Sequence, residues 1–193
     1  MKVVQDSAPD PYEGDLPDLA AVAQGRAGRE GAEFDAQALE WLVQAGGSIL
    51  QRGGEIGGVS VDAIIRGGND MAFTVLAHGN IDRDGTRPGL RRTDTVRKAG
   101  DSAYLLHSIV HAPPVLIVTS DIPKESGRNK QAARLLAMHR EVIFDVLSPE
   151  DLASFHRLQR YLQTESIPVE PEPAAWRELP VDQLSFDLWR PHA

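Results

Sequence analysis

The clearest pattern in the chain is a pair of apolar stretches joined by a short polar turn. Residues 59–65, VSVDAII, alternate and are rich in β-branched side chains, which predicts a strand. Residues 66–70, RGGND, supply turn chemistry, because Gly and Asn tolerate positive φ. Residues 72–77, AFTVLA, return as a second strand, apolar enough to be buried on both faces. Upstream, Phe34, Ala38, Leu42 and Ala45 recur at helical spacing, with Leu39 and Val43 widening the stripe. This predicts a helix over about 30–45, ended by Gly46 and Gly47. A short strand at 48–51 and a turn at 53–58 lead into the hairpin.

Beyond the hairpin the period becomes helical again. Thr93 opens a helix with Val96, Ala99, Ala103, Leu106 and Val110 on one face, stopped by Pro113 and Pro114. Asp94 suits its first turn and is placed to pair with Lys98 one turn on. Residues 115–119 read as a buried strand. Ser126 can cap a helix to about His139, with Ala132, Leu135, Leu136 and Met138 on its core side. Residues 142–147 read as another strand. Ser148 and Pro149 are a cap and a first helical position, followed by an apolar face of Leu152, Phe155, Leu158 and Leu162. Strands separated by helices imply crossovers. The expected fold is therefore α/β, a mixed central sheet flanked by helices. Residues 1–24 read as a flexible arm, 25–163 as the folded domain, and 164–193 as an acidic, Pro-rich tail. In that tail Leu184, Phe186 and Trp189 form a short apolar anchor for a protein partner or for the domain itself.

Composition narrows the choices. A formal net charge of −8 argues against tight non-specific binding to nucleic acid, although it allows a local basic patch. The absence of cysteine removes disulfides, thiolate metal sites and cysteine nucleophiles. The first residues lack the apolar core of a secretory signal, and no apolar run approaches the roughly 20 residues that span a bilayer. The expectation is a cytoplasmic protein without membrane contact.

Two groups in the hairpin carry candidate chemistry. Asp62 is a carboxylate in an apolar strand, where an unpaired charge is expensive. His78 closes the second strand and can act as a base or ligand near neutral pH. Next to them comes a cationic segment, Arg83, Arg87, Arg91, Arg92, Arg97 and Lys98, offset only by Asp84 and Asp94. Arginine suits bidentate phosphate contacts, so this segment is the candidate nucleic-acid surface. Ser120 and Asp121 lack a nucleophile elbow, which argues against a serine hydrolase. No glycine-rich phosphate loop follows a strand, which disfavours a nucleotide-binding enzyme of another doubly wound fold.

The order of elements, Asp62 in the first hairpin strand and Gly79 after the second together resemble the PD-(D/E)XK superfamily, the restriction-endonuclease-like fold, over about residues 28–147. In that family an Asp and a Glu-x-Lys on the hairpin gather a divalent metal for phosphodiester hydrolysis. The resemblance implies Mg²⁺ or Mn²⁺ at Asp62, with His78 at the Lys position and Leu76 at the Glu position. Leu76 cannot ligate a hard cation, so the motif is degenerate. Further carboxylates would come from Glu30 or Glu33 on the first helix, from Asp82, or from Asp94, with Lys98 as a second catalytic cation. Two readings follow. One is a DNA-associated, metal-dependent endonuclease. The other is an inactive nuclease-fold subunit, structural or regulatory, in a DNA-processing or defence assembly.

Overall fold

The alternating stretches of the sequence build one five-stranded sheet. The structure, a computed structural model, describes residues 19–80, 89–163, 174 and 176–177. In chain order the strands are β1 (Ser48–Arg52), β2 (Glu55–Ile56), β3 (Val59–Ser60), β4 (Ala63–Arg66), β5 (Ala72–His78), β6 (Val115–Thr119) and β7 (Asp145–Leu147). The helices are α1 (Leu19–Gln44), α2 (Thr93–Ser108), α3 (Lys130–Met138) and α4 (Leu152–Gln163). The main sheet runs β1-β4-β5-β6-β7, and β2 and β3 form a separate small pair.

Strand sense changes at β5. It pairs antiparallel with β4, which pairs antiparallel with β1, whereas β5, β6 and β7 run parallel. Parallel neighbours need a crossover, and α2 and α3 supply the two required here. The helices divide between the faces. On one face Phe34, Ala38 and Leu42 of α1, with Leu158, Tyr161 and Leu162 of α4, cover Ile65, Phe73 and Val75. On the other, Val96, Ala99 and Ala103 of α2, with Ala132 and Leu136 of α3, cover Leu76, Ile117 and Val146. The mixed α/β sheet with flanking helices is thus as expected. Among the described residues no helix is long and apolar enough to cross a membrane.

Several boundaries differ from expectation. α1 begins at Leu19, inside the expected arm, because Leu19, Ala20, Ala21 and Ala23 propagate a helix well and outweigh Gly25 and Gly28. The single strand expected over 59–65 is two, β3 and β4, broken at Asp62, because Val59 and Ser60 pair with β2. In the following turn positive φ falls on Asp70, not on a glycine or Asn69. Gly67 is required instead by close approach, since a Cβ there would stand 2.5 Å from the Leu162 carbonyl oxygen. α2 stops at Ser108 with Ile109 already extended, so Val110 leaves the apolar face and is exposed. Val43 and Met138 are exposed too. Ser126 precedes a short 3-10 turn, Gly127–Asn129, without a side-chain cap, and α3 follows. Asp151, not Ser148, caps α4: its carboxylate accepts from the N–H groups of Ala153 at 3.2 Å and Ser154 at 3.0 Å.

The sequence pattern hides one buried polar cluster. Asp145 of β7 is fully buried. Its carboxylate accepts from Val146 N–H at 2.7 Å, Arg157 Nε at 2.9 Å, Tyr161 Oη at 3.0 Å and Trp176 Nε1 at 3.1 Å. A charge survives burial only when its lone pairs are answered in this way. Trp176 and Ala174, both in the expected tail, are part of the core on the α2 face. Leu184, Phe186 and Trp189 lie outside the described residues.

Candidate functional site

The alternation of β4 and β5 decides which side chains meet. Ala63 and Ile65 join the α1 face, so Asp62 belongs to the α2 face. Phe73 and Val75 of β5 also join the α1 face, which leaves Leu76 and His78 on the side of Asp62. Ala63 pairs with Val75, and one further step of that register sets Asp62 across from Leu76. A cavity of about 770 Å³ opens here, at the carboxyl end of β5, and Asp62, Leu76 and His78 all line it. The expected convergence of Asp62 and His78 on one hollow is therefore present.

Two helices complete the walls. α1 contributes the small residues Gly28, Gly31 and Ala32, together with Asp35. It sits close because Gly79 has no side chain, and a Cβ there would stand 2.5 Å from the Phe34 ring. α2 contributes Asp94, Thr95, Lys98 and Ser102 from its first three turns, with Arg92 just before it. The entry to α2 is fixed by Leu90, fully buried within the 3-10 turn Gly89–Arg91. The Leu90 N–H donates to Thr119 Oγ1 at 3.3 Å and to the Asp121 carbonyl at 3.3 Å. Gly89 adopts φ +48° and presses on this corner, where a Cβ would meet Thr119 Oγ1 at 2.6 Å.

The electrostatics are those of a partly desolvated site. Burial raises the Asp62 carboxyl above its ordinary value, opposed by the Ala77 N–H and by the charge of Lys98. The Ala77 N–H donates to Asp62 Oδ2 at 2.7 Å and fixes the carboxylate at the end of the sheet. Burial, helped by Lys98, pushes His78 down from 6.5 to about 4, so the imidazole is neutral at neutral pH. Its Nε2 is buried and has no hydrogen-bond partner among the described residues. Lys98 acts on both groups through its charge and makes no ion pair among the described residues. The expected Asp94–Lys98 pair is not made. Asp94 is instead held by Arg92, at 3.0 Å from Nε and 2.9 Å from Nη2, because the guanidinium fork two residues away fits a carboxylate better than the lysine one turn on. Those bonds lower its pKa.

Of the expected site residues, Asp62, His78, Asp94, Lys98 and Arg92 come together. Glu33 is exposed and does not line the cavity, whereas Asp35, two residues on, does. The spacing of Gly28, Gly31, Ala32 and Asp35, at three or four residues, was the available signal for that helix face. Glu30 accepts from Asn80 Nδ2 at 3.0 Å. Arg91 lies outside the cavity and binds Asp121 Oδ1 at 2.6 Å, and Arg97 is exposed on α2. Asp82, Arg83 and Arg87 lie outside the described residues.

Among the described residues no three of His, Cys, Asp and Glu stand together as a metal-ligand group. Leu76 fills the place across from Asp62, and Asp94 is engaged by Arg92. The described donors do not make up the Mg²⁺ or Mn²⁺ site that the sequence resemblance implies. They form a mixed hollow of three carboxylates, Asp35, Asp62 and Asp94, with one neutral imidazole, His78, and two cations, Lys98 and Arg92. No family model matches the chain, and neither a curated protein nor a solved structure matches it.

Proposed function

We propose that this chain is a nuclease-like, DNA-associated protein of the restriction-endonuclease-like fold, and that the cavity at the end of β5 receives a phosphodiester. One observation carries the reading. Asp62 from the break between β3 and β4, His78 from β5 and Lys98 from α2 line a single cavity where the sheet changes from antiparallel to parallel pairing. Ligand sites in open α/β sheets form outside the carboxyl ends of the strands, and the cavity lies at the carboxyl end of β5. The element order also supports the fold assignment: a leading helix, three antiparallel strands, a crossover helix and a parallel strand.

Each residue has a part consistent with phosphodiester chemistry. Lys98 offsets the charge of a bound phosphate. His78, neutral at working pH, can accept a proton at Nε2, the atom left without a partner among the described residues. Asp62, fixed by the Ala77 N–H, orients groups around that position. Mg²⁺ or Mn²⁺ belongs to the proposal only as the family's implication, because the described donors do not form its ligand set. A second reading, a hydrolytically silent subunit of a DNA-processing or defence assembly, is favoured by Leu76 at the place of the second carboxylate.

Incubating the protein with plasmid and with single-stranded DNA, with Mg²⁺, with Mn²⁺ and with chelator, separates the two readings. Cleavage that disappears in Asp62→Ala supports the nuclease. Binding without cleavage under every condition supports the silent subunit. Neither binding nor cleavage removes both.

A further inference from the structure

Beside the main cavity lies a second hollow of about 530 Å³, between the start of α2 and the start of α3. Three guanidinium groups line it, from Arg91, Arg92 and Arg128, with Thr93 and Gln131 adding polar groups. Asp94 is the only carboxylate among its described lining residues. Arg92 and Asp94 line both hollows, so the two are contiguous. Two of the three arginines are already oriented by aspartates, Arg91 by Asp121 at 2.6 Å and Arg92 by Asp94 at 2.9 Å. Arg128 makes no ion pair among the described residues. It comes from a different element, the 3-10 turn Gly127–Asn129 before α3.

We infer that this hollow is a second phosphate subsite, and that the ligand of the whole site is a nucleic-acid strand. The inference rests on the reading of the main cavity as a phosphodiester site and extends it. A phosphate in the second hollow gains a bidentate, charge-assisted contact from the Arg128 fork, which lysine cannot supply, and further bonds from the N–H groups that Asp121 and Asp94 leave over on Arg91 and Arg92. A single small phosphodiester in the main cavity cannot also fill the adjoining hollow. A strand, with its regularly repeated phosphates, can fill both. Arg128 is therefore a determinant of strand binding, and a short diester has no use for it.

The test compares the full chain with Arg128→Ala and with Arg66→Ala, whose site is at the opposite end of β4. The probe is a fluorescently labelled single-stranded oligodeoxynucleotide of about twelve residues, a length chosen to cover both hollows, in chelator. Anisotropy is followed from low to moderate salt. One lost phosphate contact flattens the slope of log K against log salt by about 0.7. The expectation is that flattening and a severalfold weaker binding at low salt in Arg128→Ala, no change in Arg66→Ala, and unchanged binding of thymidine 5′-p-nitrophenyl phosphate in both. An unchanged slope in Arg128→Ala, equal losses in the two variants, or no binding of the oligonucleotide by the wild type overturns the subsite. Cleavage with an unchanged slope removes the subsite and leaves the nuclease. Binding with the altered slope but no cleavage removes the hydrolysis and leaves the subsite.

Discussion

Replacing His78 by glutamine isolates the burial of the imidazole in the cavity. In the folded chain burial and Lys98 hold His78 at about 4, against 6.5 ordinarily. In the unfolded chain it returns to the ordinary value. Between these limits the unfolded state binds a proton that the folded state refuses. Its contribution to stability is thus full above the ordinary value and lost as pH falls, levelling off below the folded value. The loss is about 2 kcal/mol between pH 7 and pH 5, and about 3 kcal/mol by pH 4. Asp62 works in the opposite sense, since a carboxyl raised by burial is better accommodated when protonated. Asp94, lowered by Arg92, loses its contribution at still lower pH. Both acids remain in the variant, so the difference between the two proteins reports on His78.

The assay is urea unfolding followed by circular dichroism at several pH values and constant ionic strength. The stability of His78→Gln relative to wild type should rise by about 2 kcal/mol from pH 7 to pH 5, whatever constant offset the substitution introduces. A difference that stays flat across that interval would refute the placement of His78, because an imidazole open to water keeps its ordinary value in both states.

Trp176→Phe keeps most of the ring and removes one donor to Asp145, leaving Oδ1 with the Val146 N–H; it should cost about 1–3 kcal/mol in urea unfolding, and an unchanged midpoint would mean the residue does not lock the tail to β7. Leu76→Glu puts a second carboxylate across from Asp62; stability should fall by about 3 kcal/mol or more without metal. Mn²⁺ should then raise the Tm of this variant more than that of wild type, and equal shifts would refute the correspondence between Leu76 and the family's carboxylate.

Local periodicity carried much of the fold. Val96, Ala99, Ala103 and Leu106 are all buried, as their spacing requires, and so is every residue of β6. Where pattern failed, a tertiary contact decided. Residues 59–65 alternate without a turn signal, and the only local hint of the break is Asp62, a poor strand former; β2 decides it by capturing Val59 and Ser60. Val110 continues the helical spacing of α2, yet the helix has already ended. The site was legible in part for the same reason. Asp62 and His78 share a face through strand alternation, a local property. The entry of Asp35 depends on how α1 is rotated against β5, which Gly79 and Phe34 set. Asp145 was illegible because its side-chain partners come 12, 16 and 31 residues later.

The position of Leu76 connects the fold to the functional question. The end of β5 is flanked by the leading helix α1 and the crossover helix α2, so groups from distant parts of the chain meet there. The cost is that each inward residue must either be answered by a partner or be apolar. At Asp62 the answer is the Ala77 N–H and the nearby Lys98. At His78 it is neutrality. At Leu76 it is an apolar side chain, which removes the need for a cation to balance a second carboxylate. The cavity's three carboxylates, Asp35, Asp62 and Asp94, do not stand together as a ligand group among the described residues, and Asp94 is held by Arg92. An apolar Leu76 leaves Asp62 without a carboxylate across from it, which argues for recognition over metal-dependent hydrolysis, and the oligonucleotide measurements discriminate between the two.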